Sequence, residues 1–219
     1  MNIQSLLNAV LKSAAPSGKG SDWGKYAAGG AVGLLLGSKR GRSMGGSLVK
    51  YGSVAALGAL AWKMYQDHQA QQQGARAGVP AAPVPASQPP AARTFEALPA
   101  PVQEEHSRAM LKAMIAAAKS DGHMDSRERE LVTGELTRLQ ADDATRRWVQ
   151  AELERPVDPA EVAASAQGPE MAAEIYLASL LVVDDTSTME RAYLEALARE
   201  LRLDPGLKTQ LEAKAMAAG

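Results

Sequence analysis

The chain has 219 residues, no cysteine and a formal net charge of −1. The lack of cysteine excludes disulfide bonds, thiolate metal sites and a cysteine nucleophile. The near-zero charge gives no reason to expect nucleic acid as a partner. Aromatic residues are few while Ala, Leu and Glu are frequent, and this balance favours helices over strands. We therefore expect an all-α protein that does not bind nucleic acid.

Residues 1–20 predict an amphipathic N-terminal helix. Apolar side chains fall on one helical face, at Ile3, Leu6, Leu7, Val10 and Leu11. The opposite face is polar and nearly uncharged. Such a helix is suited to a membrane surface, to another copy of the chain or to the segment that follows.

Residues 21–65 predict a membrane-associated, glycine-rich segment. Twelve uncharged residues end at Gly37, and Gly29, Gly33 and Gly37 recur at every fourth position. On a helix these glycines form a flat strip, which is typical of helix pairs in membranes. A second apolar run at 51–62 and a basic turn between the runs indicate a hairpin. Each run is shorter than the roughly 20 residues that a simple span needs, so crossing and shallow insertion both remain open.

The basic turn of this hairpin favours the cytoplasmic side or anionic lipid headgroups. We expect a bacterial inner-membrane location with the C-terminal domain in the cytoplasm and membrane lipid as a partner. The alternative is a soluble oligomer of identical chains, assembled through the strip of Gly29, Gly33 and Gly37.

Residues 66–94 predict a disordered linker rich in Pro, Ala and Gln, because large apolar groups are too few to offset the entropy of ordering. Residues 95–219 predict a compact helical domain. Its apolar periodicity and its Asp-Pro and Gly-Pro pairs indicate seven helices. These are expected at about 101–120, 126–140, 143–154, 159–166, 170–183, 188–202 and 205–217.

Two acidic corners in this domain look like copies of one unit, offset by 62 residues. With this offset Asp125 falls on Ser187 and Glu128 falls on Glu190. Each helix thus starts with a small oxygen-bearing side chain and carries a Glu three residues later, the capping-box arrangement. The pattern predicts an internal repeat whose corners either only cap helices or also hold a cation or a partner.

Enzyme motifs are absent from the sequence. No phosphate-binding glycine loop, zinc-site histidine pair or serine nucleophile elbow is present, so no catalytic residue is assigned. The remaining enzymatic hypothesis is a metal-dependent hydrolase that uses the two acidic corners.

The sequence from 116 to 128, Ala-Ala-Ala-Lys-Ser-Asp-Gly-His-Met-Asp-Ser-Arg-Glu, resembles the signature loop of the TerB-like tellurite-resistance superfamily. Residues 183–197 look like the second half of its uncharacterised YebE-type inner-membrane branch. The resemblance implies an all-α domain with internal pseudo-symmetry, membrane attachment and no known catalysis. It also implies binding of a divalent cation such as Ca²⁺ at Asp121, Asp125, Glu128, Asp184, Asp185 and Glu190.

Taken together, these patterns predict a non-enzymatic, membrane-tethered protein. Its helical domain would serve as a stress-related interaction module or as a sensor of divalent cations.

Overall fold

A computed structural model describes residues 2–14, 54–76, 95, 98–122, 126–183 and 187–217. Within these ranges there are nine α-helices and no strand, which confirms the predicted all-α fold. The helices are α1 (Ile3–Ala14), α2 (Val54–Arg76), α3 (Ala100–Ala118), α4 (Ser126–Arg138), α5 (Asp143–Glu154), α6 (Pro159–Ala163), α7 (Pro169–Leu180), α8 (Thr188–Glu200) and α9 (Pro205–Ala217).

The seven helices predicted for the C-terminal domain are present as α3 to α9, with each start within one residue of the predicted one. Polar side chains cap the helix starts as the sequence indicates. The Oδ1 of Asp158 accepts a hydrogen bond from the N–H of Ala160 at 2.9 Å, and the Oδ1 of Asp204 accepts one from the N–H of Gly206 at 2.8 Å. The Oγ of Ser187 accepts from two amides in the first turn of α8. These caps satisfy amides that have no partner inside the helix, and so they fix where each helix begins.

The internal repeat extends well beyond the two acidic corners. Helices α3, α4 and α5 form the first repeat, and α7, α8 and α9 form the second. A shift of 62 residues places the last residue of α3, 118, on the last residue of α7, 180. The same shift places α4 (126–138) on α8 (188–200), and the first residue of α5, 143, on the first residue of α9, 205. The short helix α6 lies in the connection between the repeats.

Both repeats stop their second helix with the same backbone turn. Gln140 and Arg202, which are 62 residues apart, both have a φ of 53°. The N–H of the following residue donates to the carbonyl five positions earlier, at 2.9 Å in the first repeat and 3.1 Å in the second. This is the hydrogen-bond pattern of a Schellman motif, which ends a helix on one left-handed residue.

Helix α7 lies at the centre of the protein. Every residue from 171 to 183 is buried, and α2, α3, α8 and α9 all pack against this helix. A helix that is apolar on all sides is stable only when other elements surround it. Because α2 is one of those elements, the core of the C-terminal domain includes a helix from the N-terminal part of the chain.

The N-terminal helix belongs to the same core. The apolar stripe of α1 packs against α3, and Ile3, Leu6, Leu7 and Leu11 are all 1–3% exposed. Residues 3–14 of the predicted 1–20 segment are thus packed in the core of the C-terminal domain. An amphipathic helix must cover its apolar face, and the covering surface lies about 100 residues further along the chain.

Helix α2 runs across the predicted boundary at residue 66 between membrane segment and linker. It continues to Arg76, eleven residues into the predicted linker. Leu57 and Ala61 are buried in the core at 1% and 0% exposure. Gly58 lets α2 approach α7 closely, because a Cβ added there would lie 3.3 Å from the Oε1 of Glu174. Among the described residues, no helix combines the length and the apolar character needed to cross a membrane.

The remaining predictions for the N-terminal part concern residues that the structure does not describe. Gly29, Gly33 and Gly37 and the basic turn are among them, as are residues 77–94 of the predicted linker.

Candidate functional site

The first acidic corner lies directly after α3. The N–H of Gly122 donates to the carbonyl of Lys119 at 3.0 Å, and Gly122 has a φ of +82°. Glycine adopts this conformation without the steric penalty that a side chain would bring. Asp121 is half-buried and interacts with neighbouring groups. The turn predicted from Asp-Gly is therefore formed.

Lys119 ties this corner to the end of α5. Its Nζ donates to the carbonyl of Glu152 at 2.9 Å and also to the carbonyl of Arg155. A cation at a helix C-terminus satisfies carbonyls that have no partner inside the helix. Burial lowers the pKa of Lys119, while the nearby carboxylate of Glu152 acts in the opposite direction. The contact holds the first corner rigidly against the third helix of its own repeat.

The second corner lies between α7 and α8. Ser187 caps α8, and Glu190, three residues later, is 9% exposed and interacts with neighbouring groups. The cap and the buried carboxylate occupy the positions that the capping-box pattern predicts.

The two corners meet. A Cβ atom built at Gly122 would lie 3.4 Å from the methyl carbon of Met189. Met189 belongs to the first turn of α8 and is 55% exposed, which is unusual for a large apolar side chain in this protein. The turn at Gly122 in the first corner therefore lies next to the first turn of α8, which follows the second corner.

Four of the six predicted metal ligands, Asp125, Glu128, Asp184 and Asp185, have side chains outside the described set. Of the other two, Asp121 lies in the first corner and Glu190 at the second. Among the side chains that the structure describes, no group of three His, Asp or Glu is placed to hold a metal ion. Metal binding at the six carboxylates thus stays a prediction.

Two histidine–carboxylate pairs were missed from the sequence, and both lie near α2. His106 on α3 contacts Glu174 on α7, with 2.5 Å between Nε2 and Oε2. His68 on α2 contacts Asp204 at the start of α9, with 2.8 Å between Nε2 and Oδ1. The sequence carried one usable signal, because Glu174 is the only charge in the apolar run from 171 to 183, and a buried carboxylate requires a partner.

The family described as "Protein of unknown function (DUF533)" matches residues 22–215 of this chain. A protein from Yersinia enterocolitica, described as "Uncharacterized protein in ampR 5'region", is 32% identical to it over 113 residues. That alignment covers 52% of this chain and 81% of the Yersinia protein. No solved structure matches the chain.

Proposed function

We propose that this chain, which belongs to the family described as Protein of unknown function (DUF533), attaches a TerB-like interaction module to the bacterial inner membrane. In this proposal the helical domain faces the cytoplasm, binds a stress-related protein partner and carries out no catalysis. The lipid-contacting part is narrower than residues 21–65, because α2 from residue 54 onward packs in the protein core.

The observation that carries this proposal is the position of residues 15–53. In the sequence they connect α1 to α2, and these two helices pack in the same core. This stretch contains the twelve uncharged residues, the strip of Gly29, Gly33 and Gly37, and the basic turn. In water, each glycine inside a helix would cost about 1 kcal/mol relative to alanine, whereas close helix packing in lipid uses glycine.

Flotation with liposomes tests the attachment. We expect the full-length chain to rise with vesicles of mixed zwitterionic and anionic phospholipid, and Gly33→Asp to reduce the floating fraction because a charge opposes insertion. Gly134→Asp is the matched control, since Gly134 is an exposed helical glycine and nothing lies within 4 Å of a Cβ built there. A wild-type chain that stays with the soluble fraction, or equal loss in the two variants, would contradict the proposal.

A second candidate function, the sensing of a divalent cation, is favoured by the contact between Gly122 and Met189. This contact supports the candidate because it joins the turn at Gly122 to the first turn of α8, and hard cations such as Ca²⁺ need six to eight oxygen ligands. Two short corners that converge supply more oxygens than either corner alone.

Melting temperature in millimolar Ca²⁺, Mg²⁺ and Mn²⁺ tests this second candidate. Binding to the folded state at about 100 times the Kd adds about 2.7 kcal/mol to stability. Asp121→Asn should reduce the rise in melting temperature, and the exposed Asp143→Asn, which lies outside the corners, should not. An unchanged melting temperature with all three cations would remove sensing and leave the interaction role.

A further inference from the structure

The interface between α2 and α7 covers a buried carboxylate. Glu174 lies in the apolar central helix, and its side chain is only 10% exposed. On the α2 side it meets Gly58, where an added Cβ would lie 3.3 Å from the Oε1 of Glu174. Because α2 has a glycine here, its backbone comes close enough to shield this carboxylate from water.

His106 is the polar partner of this carboxylate. The Nε2 of His106 lies 2.5 Å from the Oε2 of Glu174, within hydrogen-bond distance, and the imidazole is 13% exposed. The ring of Phe95 meets the imidazole edge-to-face, with 5.4 Å between ring centroids. The pair is therefore enclosed by an aromatic ring on one side and by the backbone of α2 on the other.

Several other charged side chains on the surrounding helices have partners of their own. On α2, Lys63 pairs with Asp67 at the surface. On α9, Lys208 pairs with Glu195 and Glu212, and Glu212 also accepts from the hydroxyl of Tyr176.

On α8, Glu190 interacts with neighbouring groups. The partnered charges on α3 are Glu104 with the start of α1, Arg108 with Trp148, and Lys112 with Glu161. The pair that the described part of the chain gives Glu174 is the one with His106.

A second histidine holds the other half of α2. His68 contacts Asp204, and a Cβ built at Gly206 would lie 2.8 Å from the Cε1 of His68. The Nδ1 of His68 is buried and has no hydrogen-bond partner in the described part of the molecule. This contact therefore joins the second half of α2 to the start of α9.

We propose that α2 is a proton-controlled cover on the second repeat, held down by the charged pair of His106 and Glu174. When His106 carries its proton, the pair is neutral overall and α2 can enclose it. When the proton leaves, a buried negative charge remains beneath Gly58, and an unbalanced buried charge is strongly destabilising. Movement of α2 away from α7 admits water to the carboxylate and relieves this cost. The cover therefore loosens as the pH rises.

This device does not rest on lipid binding or on cation binding. The segment from 15 to 53 joins the domain through α2. Release of α2 would add its 23 residues to the connection and expose a face of α7 and α9.

Hydrogen exchange read by mass spectrometry tests the proposal on the full-length protein. Protection of the peptide from α2 is measured from about pH 5 to about pH 8, the range in which imidazoles change charge. The peptide from α8 serves as an internal reference for the intrinsic pH dependence of exchange. We expect protection of α2 relative to α8 to fall about tenfold across this range.

Three variants test whether the pH dependence of α2 protection comes from the pair of His106 and Glu174. His106→Gln and Glu174→Gln each keep a hydrogen-bonding side chain but remove the charged pair, so the protection of α2 relative to α8 should no longer fall as the pH rises. His68→Gln should weaken α2 and retain the pH dependence. A pH-independent ratio in the wild-type protein overturns the proposal without reference to any variant. It is equally overturned if His106→Gln keeps the wild-type dependence or if His68→Gln abolishes it.

Discussion

At the scale of single residues, the two repeats differ at an exposed position in α4 and α8. Gly134 in the first repeat corresponds to Ala196 in the second, and nothing lies within 4 Å of a Cβ built at Gly134. We expect Gly134→Ala to raise the free energy of unfolding by about 0.5–1 kcal/mol, because alanine restricts the unfolded chain and fits the helix. Urea denaturation measures the change. Ala196→Gly should have the opposite sign, and a loss of stability in Gly134→Ala would show that the space is not free.

Gly122 should respond in the opposite way to the same substitution. Its φ of +82° is unfavourable for a side chain, while the 3.4 Å approach to Met189 is an ordinary contact. We expect Gly122→Ala to lower the free energy of unfolding by about 1–2 kcal/mol through backbone strain. Gly122→Asn should lose less, since asparagine tolerates left-handed conformations. Equal losses in the two variants would point to steric contact with Met189 instead.

At the scale of helices, the caps of α5 and α9 give a pH dependence with a defined sign. Hydrogen bonds from Thr145 lower the pKa of Asp142, and the amide of Gly206 is the main cause that lowers the pKa of Asp204. A carboxyl whose pKa is lower in the folded state stabilises the fold above its unfolded pKa. That contribution is lost as the pH falls through the folded pKa.

Asp142→Asn and Asp204→Asn should therefore weaken the acid-side loss of stability, because asparagine still caps a helix but does not titrate in this range. Denaturation at a series of acidic pH values measures the effect. If the free energy of unfolding falls as steeply with decreasing pH in the cap variants as in the wild type, the cap carboxyls are not the source of the acid-side loss.

The docking of α1 depends on a contact across about 100 residues of sequence. The carboxylate of Glu104 accepts from the N–H of Ile3 at 3.1 Å and from the N–H of Gln4 at 3.4 Å. These amides lie at the positive end of the helix dipole. We expect Glu104→Ala to reduce stability by about 1 kcal/mol and to increase hydrogen exchange in α1. The exposed neighbour Glu105→Ala should do neither, and unchanged exchange in Glu104→Ala would show that apolar packing alone holds α1.

The seven helices of the C-terminal domain could be read from the sequence because their signals are local. An Asp-Pro pair or a Ser with a Glu three residues later marks a helix start whatever surrounds it. The 62-residue offset was visible for the same reason, since it preserved caps and apolar positions. The candidate corners followed from that offset, and their contact through Gly122 and Met189 became visible only in the folded chain.

The packing of α2 against α7 could not be predicted from local sequence signals. Gly58 and Ala61 allow close packing against any helix, and the sequence does not say whether that helix lies in lipid or in a protein core. The Gln-rich part of α2 lacks the large apolar groups that mark a buried helix. Its tertiary contacts are polar: Gln72 donates to Asp204 and Gln210 donates to Gln71. Such pairs join positions more than 130 residues apart, and no local pattern predicts them.

At the scale of the whole molecule, the two repeats are covered by different helices. Helix α1 packs on the first helix of the first repeat, while α2 packs on the first and third helices of the second. The internal symmetry of the backbone is therefore not matched by its surroundings. A partner that recognises one repeat will not find the same surface on the other.

The packing of both α1 and α2 in one core also limits how the chain can meet a bilayer. Residues 15 and 53 adjoin helices of a single folded body. In the proposed membrane-attached state, both residues must therefore emerge from the same leaflet. An odd number of crossings would place these helices in different compartments and pull the core apart. The intervening stretch can therefore traverse the membrane twice or not at all. A protease added to one side of sealed vesicles should accordingly reach both junctions or neither.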